Sequence, residues 1–112
     1  MNVHNYKTAG GKDLIVSYIE SLPKAEAVDG YSVIQAFKED RTDEVKTSLW
    51  RGKISEVYFY KHNRIFYVIA DGEDVFFLHA CRKQKNKTEK KDADIVVNRA
   101  KEVGKLVSKN FI

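Results

Sequence analysis

The spacing of apolar residues in the first forty positions predicts a short strand followed by two helices. Residues 3–8 alternate weakly between apolar and polar side chains, which indicates a strand, and residues 9–12 form a turn. Two apolar stripes then recur at helical spacing, one before and one after Pro23. They consist of Ile15, Tyr18, Ile19 and Leu22, and then of Ala27, Tyr31, Ile34 and Phe37. Asp13 is a suitable N-cap for the first helix, and Pro23 suits the first turn of the second.

The hydrophobic period changes to that of a sheet in the middle of the chain. Residues 38–46 are polar and predict a loop. Residues 54–60, 64–70 and 75–81 are rich in β-branched and aromatic side chains, which predicts three strands. Asp71-Gly72 is a strong hairpin signal, so we expect a three-stranded antiparallel meander. The last two strands are almost continuously apolar, and both faces of the sheet therefore need cover.

A final helix provides a cover for one face. Val96, Ala100, Val103 and Val107 recur at helical spacing, which predicts a helix from about residue 90 to 109, with Thr88 as a candidate cap. The predicted order is β-α-α-β-β-β-α. We therefore expect an α+β fold, with a small antiparallel sheet packed against an N-terminal helical hairpin and a C-terminal helix.

Composition limits the classes of protein that fit this pattern. The 112 residues, 43% of them hydrophobic, suit a single domain over residues 1–112 that folds without a disulfide or metal. One Cys excludes an intrachain disulfide, and three separated His residues predict no structural zinc site. The longest apolar run, residues 65–70, is far below the roughly 20 residues of a membrane span. The start of the chain lacks the apolar core of a signal peptide, so a cytoplasmic protein with no membrane partner is expected.

Positive charge is concentrated directly after the last predicted strand. The net charge of +4 includes a run at residues 82–91 with a single acidic residue, Glu89. The basic residues of this run are Arg82, Lys83, Lys85, Lys87, Lys90 and Lys91. Such a run attracts polyanions, which favours a nucleic-acid or acidic-partner site, although a solvated surface loop has the same composition.

Four motifs occur in order along most of the chain. They are Tyr6-Lys-Thr-Ala-Gly-Gly-Lys, residues 49–56 with Trp50, Arg64-Ile-Phe-Tyr-Val, and Leu78-His-Ala-Cys-Arg-Lys-Gln-Lys-Asn-Lys-Thr. Together they resemble the RelE/HigB-type toxins of toxin–antitoxin modules, in particular the phage-derived HigB-like branch. The resemblance implies a RelE-like fold and a small ribonuclease that cleaves mRNA, usually on the ribosome, without a metal or other cofactor. It also implies a cognate antitoxin that carries a helix-turn-helix.

The sequence departs from the family pattern at four positions. Tyr58 stands where the family has Arg, Cys81 where it has Phe, Gln84 where it has Lys, and Glu89 where it has Pro. The loss of two cations favours an alternative, a non-catalytic toxin on the same fold that binds another target, such as DNA gyrase in ParE-like toxins. A relic that only binds its antitoxin is a third reading.

Metal-free RNA cleavage requires a base for the ribose 2′-hydroxyl, cations for the phosphorane and an acid for the leaving 5′-oxygen. The residues expected to supply these groups are Arg64, Lys83, Lys87, Glu56 and His79. Arg64 is the best phosphate-binding cation, and Lys83 is a clamp or proton donor. Glu56 is a candidate base, and His79 a candidate for proton transfer.

Each of these assignments has a structural alternative. Arg64 and Glu56 could form only a cross-strand ion pair, Lys83 could be solvated, and His79 could be a buried, hydrogen-bonded histidine. RNA binding without catalysis is expected of Arg51, Lys53, Tyr58, Arg82, Lys85 and Thr88. Cys81 is expected in the core, since its spacing from His79 argues against a direct thiol–imidazole hydrogen bond. Trp50 is expected at the edge of the sheet.

Overall fold

The fold is α+β. The computed structural model describes residues 1–83 and 88–112, and within them it contains three α-helices and five strands. In chain order these are β1 (Asn2–Asn5), α1 (Leu14–Glu20), α2 (Lys24–Lys38), β2 (Lys46–Arg51), β3 (Ile54–Phe59), β4 (Asn63–Ile69), β5 (Asp74–Arg82) and α3 (Lys90–Val107). A single 3-10 turn, Thr42–Glu44, lies between α2 and β2. No helix among the described residues is both long enough and apolar enough to cross a membrane.

The five strands form one mixed sheet in the order β1-β5-β4-β3-β2. Strands β2 to β5 are an antiparallel meander, so the predicted three-stranded meander is confirmed as part of a larger one. Strand β1 pairs in parallel with β5, with Asn2 opposite Asp74 and Asn5 opposite Phe77. The prediction of a purely antiparallel sheet was therefore wrong. The two helices carry the chain from β1 to β2 at the opposite edge, and the meander then returns and places β5 parallel to β1.

The prediction of β-α-α-β-β-β-α missed one strand, β2. Its first three residues, Lys46, Thr47 and Ser48, are polar and exposed, because β2 is an edge strand with a single neighbour. An edge strand buries little, so it lacks the apolar run that identified the other strands. The first strand, predicted over residues 3–8, is shorter than expected: β1 ends at Asn5, and beyond it Lys7 makes only an isolated bridge to Asp13.

The sheet separates two hydrophobic clusters, so the expectation that both of its faces are covered is confirmed. Helices α1 and α2 cover one face, in a cluster that includes Ile15, Ile19, Phe37, Val57, Ile65 and Phe77. Helix α3 and Phe111 cover the other face, in a cluster that includes Ile54, Phe66, Leu78, Val96, Ala100 and Val103. Gly30 in α2 is explained by close packing, since a Cβ atom there would lie 3.0 Å from the ring of Phe59.

The last five residues fold back onto the β2–β3 hairpin. Phe111 is 3% exposed, and its carbonyl oxygen accepts a hydrogen bond of 2.7 Å from the Lys53 N–H. Gly52 permits this contact, because a Cβ atom there would lie 2.5 Å from the Phe111 oxygen. The tail therefore ties the end of α3 to the turn between β2 and β3.

The two predicted helix caps have different outcomes. Asp13 caps α1 as predicted, with Oδ1 accepting from the N–H groups of Ile15 and Val16 at 3.0 and 2.9 Å. Glu89 holds the cap position of α3, and its side chain makes no capping hydrogen bond to the described residues. The prediction of Thr88 as the cap was wrong: its buried hydroxyl has no hydrogen-bond partner among the residues that the structure describes.

Candidate functional site

A buried ion pair lies on the α3 side of the sheet. Arg64 of β4 donates from Nη1 to Oε2 of Glu56 on β3 at 2.8 Å. Arg64 is 3% exposed and Glu56 is 5% exposed. The register places Arg64 opposite Tyr58 and Glu56 opposite Phe66, so the pair is diagonal, and the guanidinium lies 5.1 Å from the centroid of the Phe66 ring. The cross-strand ion pair considered for these two residues is therefore present.

Tyr58 covers the carboxylate of this pair. Its hydroxyl donates a hydrogen bond to Glu56 Oε1, and the Ser48 hydroxyl lies 3.3 Å from the Tyr58 oxygen. Burial raises the pKa of Tyr58, and the hydrogen bond to Glu56 raises it further. The phenol is therefore protonated at neutral pH and held in position as a donor to Glu56.

Two lysines flank the Tyr58 ring. The Nζ atoms of Lys46 on β2 and of Lys83, which follows β5, each lie 5.6 Å from the centroid of the ring. Lys46 is exposed and Lys83 is half-buried. We call Lys46, Ser48, Glu56, Tyr58, Arg64 and Lys83 the Tyr58 cluster. It places two ammonium groups near solvent above a buried carboxylate and guanidinium, an arrangement that attracts an anion.

His79 lies beside the Tyr58 cluster and contacts α3. Its Nε2 is 2.8 Å from Oδ1 of Asp92, while Arg99 Nη1 lies 3.5 Å from its Nδ1 and donates to the Leu78 carbonyl oxygen at 2.8 Å. Burial lowers the pKa of His79, although the Asp92 carboxylate acts in the opposite direction. His79 is thus a partly buried, hydrogen-bonded and mainly neutral histidine at pH 7, and its part in proton transfer stays a prediction.

The structure places the other predicted RNA-binding residues that it describes outside the Tyr58 cluster. Arg51 lies over the Trp50 ring, 4.4 Å from its centroid, and Trp50 packs on Phe66 from the edge strand, as expected. Lys53 is exposed in the turn after β2. The structure does not bring Arg82 to the Tyr58 cluster, because Glu26 of α2 holds its guanidinium at 2.8 Å. Lys85 and Lys87 lie outside the described residues.

Sequence reasoning missed several residues of this region. Lys46 and Ser48 were missed together with β2, although Lys46, Ser48 and Trp50 alternate at strand spacing. Asp92 and Arg99 were missed because they are distant from His79 in sequence and approach it only when α3 packs on β5. No short-range pattern could have identified that contact.

A comparison with protein families matches the part of the chain that contains this site. The family model described as "Phage derived protein Gp49-like (DUF891)" matches residues 17–101, which is most of the chain. The chain belongs to the Gp49-like family of phage-derived proteins. The Gp49-like family is associated with RelE-like and other toxin-like proteins. The matched residues include the whole Tyr58 cluster together with His79, Asp92 and Arg99. A comparison with curated proteins found no match.

Proposed function

We propose that this Gp49-like protein is a HigB-like toxin of a type II toxin–antitoxin system, which inhibits translation by cleaving mRNA on the ribosome without a metal. The observation that carries the proposal is the Tyr58 cluster. A carboxylate, a phenol and three cations meet on one sheet face, with Lys46 and Lys83 at its outer surface. These are the groups that transfer of a phosphodiester to a ribose 2′-hydroxyl requires.

The base in this proposal is the pair of Tyr58 and Glu56. Glu56 is too deeply buried to reach a ribose directly, but the Tyr58 hydroxyl already donates to its carboxylate. The 2′-hydroxyl proton passes to the Tyr58 oxygen while the Tyr58 proton passes to Glu56. The 2′-oxygen then forms a bond to phosphorus, and the bond from phosphorus to the 5′-oxygen breaks.

The acid and the phosphate-binding cations are the two lysines. Lys83 donates the proton that the leaving 5′-oxygen takes up, and Lys46 stabilises the charge of the phosphorane. Each ammonium group lies 5.6 Å from the centroid of the Tyr58 ring, so a phosphate bound by either lysine is near the phenol. The products are a 2′,3′-cyclic phosphate and a 5′-hydroxyl end, with no net change in protons.

Arg64 has a positioning role in this mechanism. It is 3% exposed and already bonded to Glu56, so it orients the carboxylate that receives the proton of Tyr58. This assignment replaces direct phosphate binding by Arg64. The family has an Arg where this chain has Tyr58. In this mechanism Lys46 supplies a cation on the same face of the sheet in place of that Arg.

The proposed partners are those of a toxin of this class. They are mRNA on the ribosome and a cognate antitoxin with a helix-turn-helix. A toxin that acts in translation also implies a cytoplasmic location. Lys46, Arg51 and Lys53 are exposed on or next to β2 and are available for contacts with RNA phosphates outside the reacting bond.

The test is inducible expression in a bacterial host, followed by mapping of mRNA 5′ ends. We expect new 5′-hydroxyl ends within translated codons for the wild type. Lys83→Ala and Tyr58→Phe should each reduce the number of these ends by about 10²-fold or more, the usual effect of removing an acid–base group. Lys24→Ala is the matched control, because Lys24 is an exposed lysine of α2 on the opposite face.

Three results would change the proposal. Cleavage that survives in both Lys83→Ala and Tyr58→Phe would refute the site. Growth arrest with intact mRNA would move the target to DNA gyrase or another partner, and the absence of arrest would leave only an antitoxin-binding domain. Circular dichroism of each variant distinguishes loss of chemistry from loss of fold.

A further inference from the structure

Three side chains with metal-binding atoms converge where α3 begins to pack on β5. They are His79 and Cys81 of β5 and Asp92 in the first turn of α3. The imidazole nitrogen, the thiol sulfur and a carboxylate oxygen all lie within 4.8 Å of one another. His79 Nε2 and Asp92 Oδ1 are already 2.8 Å apart. None of the roles proposed above uses Cys81 or Asp92.

The donor set is the one that zinc prefers. Thiolate, imidazole and carboxylate are its usual protein ligands, at about 2.0–2.3 Å, and three of them leave a fourth tetrahedral position open. Atoms bound to one tetrahedral Zn²⁺ lie about 3.3–3.8 Å apart, so the widest separation here has to close by about 1 Å. The Asp92 side chain is short and 19% exposed, so it has room to adjust toward a bound cation. We propose that His79, Cys81 and Asp92 form a binding site for a thiophilic divalent cation of the zinc type.

The neighbouring charges define the conditions for such a site. Burial raises the pKa of the Cys81 thiol to about 11, whereas Arg64, which lies directly opposite Cys81 in the β4–β5 ladder, acts in the other direction. Sulfur is a soft ligand, so this donor set selects thiophilic ions over Mg²⁺. Arg99 faces Nδ1 of His79 at 3.5 Å and opposes the cation.

The chain contains a natural control for this site. His4 Nε2 and Asp74 Oδ1 are also 2.8 Å apart, but that pair is more exposed, and no cysteine groups with it among the described residues. If cation binding required only a histidine beside an aspartate, both pairs would bind. The proposal attributes binding to the pair that has the thiol.

The experiment is a titration of the chelator-treated full chain with Co²⁺, followed by absorbance, and with Zn²⁺, followed by calorimetry. We expect one equivalent of each ion and a thiolate-to-cobalt charge-transfer band. Cys81→Ser should abolish the band, and Asp92→Asn should weaken Zn²⁺ binding by at least about 100-fold, since even outer-shell partners contribute 10–100-fold. His4→Gln should leave both signals unchanged, and Arg99→Gln should tighten binding.

The contrary results are equally definite. The absence of a saturable Co²⁺ signal, a band that persists in Cys81→Ser, or Zn²⁺ binding that Asp92→Asn leaves unchanged would each overturn the proposal. A loss of binding in His4→Gln would move the site to the exposed pair. If Cys81→Ser does not fold, Asp92→Asn decides, because its near-isosteric change lies on a partly exposed helix turn. None of these readouts depends on RNA cleavage.

Discussion

The buried pair of Glu56 and Arg64 provides a quantitative test of how this fold is stabilised. Arg64→Met removes the only cation that contacts the Glu56 carboxylate among the described residues, while it keeps a side chain of similar length. The carboxylate remains 5% exposed and keeps only its hydroxyl partners, Tyr58 and Ser48. Removal of one member of such a pair typically costs about 3–5 kcal/mol.

This cost is large relative to the total free energy of unfolding. A domain of this size has a free energy of unfolding of about 5–15 kcal/mol, so the variant should lose about a fifth of it or more. With a urea dependence of about 2 kcal/mol per molar, the midpoint of unfolding should fall by about 1.5–2.5 M. The double variant Glu56→Leu with Arg64→Met should recover most of this loss, because two apolar groups of similar volume can replace a buried ion pair at little cost.

The assay is urea denaturation of the wild type, both single variants and the double variant, monitored by circular dichroism. The four values form a double-mutant cycle, which isolates the coupling of the two side chains. A shift below about 0.5 M for Arg64→Met, or a double variant as unstable as that single variant, would refute the reasoning. The small shift would mean that the carboxylate is better solvated than its 5% exposure implies, and the unstable double variant would mean that the loss comes from packing and not from the unpaired charge.

Two further predictions concern the tail and the helical face. Gly52→Ala should destabilise the protein by more than Gly72→Ala in the same urea assay: both glycines have positive φ, but only at position 52 would the new Cβ lie 2.5 Å from the Phe111 oxygen. Equal losses would contradict the packed tail. Burial raises the folded-state pKa of Tyr18 to about 12, so its contribution to stability is full below the unfolded pKa near 10 and is lost as the pH rises toward 12. Tyr18→Phe should therefore lose less in melting temperature than the wild type between pH 9 and 11, and an identical slope would count against the shift.

The sequence predicted those parts of the fold in which burial repeats at a regular period. The three central strands and all three helices lie within a few residues of their predicted positions, because each presents an apolar run or stripe to the core. Strand β2 could not be found this way, since its stability comes from hydrogen bonds to β3 and little from burial. The parallel pairing of β1 was equally inaccessible, because no local pattern specifies which edge a strand joins.

The candidate site was only partly predictable for the same reason. Glu56, Tyr58, Arg64 and Lys83 could be selected, since a charge within an apolar strand or directly after one is conspicuous, and the family resemblance marked the same positions. Their mutual arrangement depends on register, which fixed Glu56 and Arg64 as a buried pair and brought Lys46 over Tyr58. Arg82 shows the converse, because its ion pair with Glu26 of α2 holds it away from the Tyr58 cluster.

The parallel pairing of β1 with β5 has a consequence for synthesis of the chain. Asn2 leaves the ribosome 72 residues before its partner Asp74. The meander from β2 to β5 consists of local pairs and can form early, whereas this contact closes a long loop. Until Phe77 has emerged, α1 and α2 have only part of the face that they cover. The native sheet is therefore completed late in translation. A nascent chain that ends before β5 lacks the complete sheet on which the Tyr58 cluster assembles.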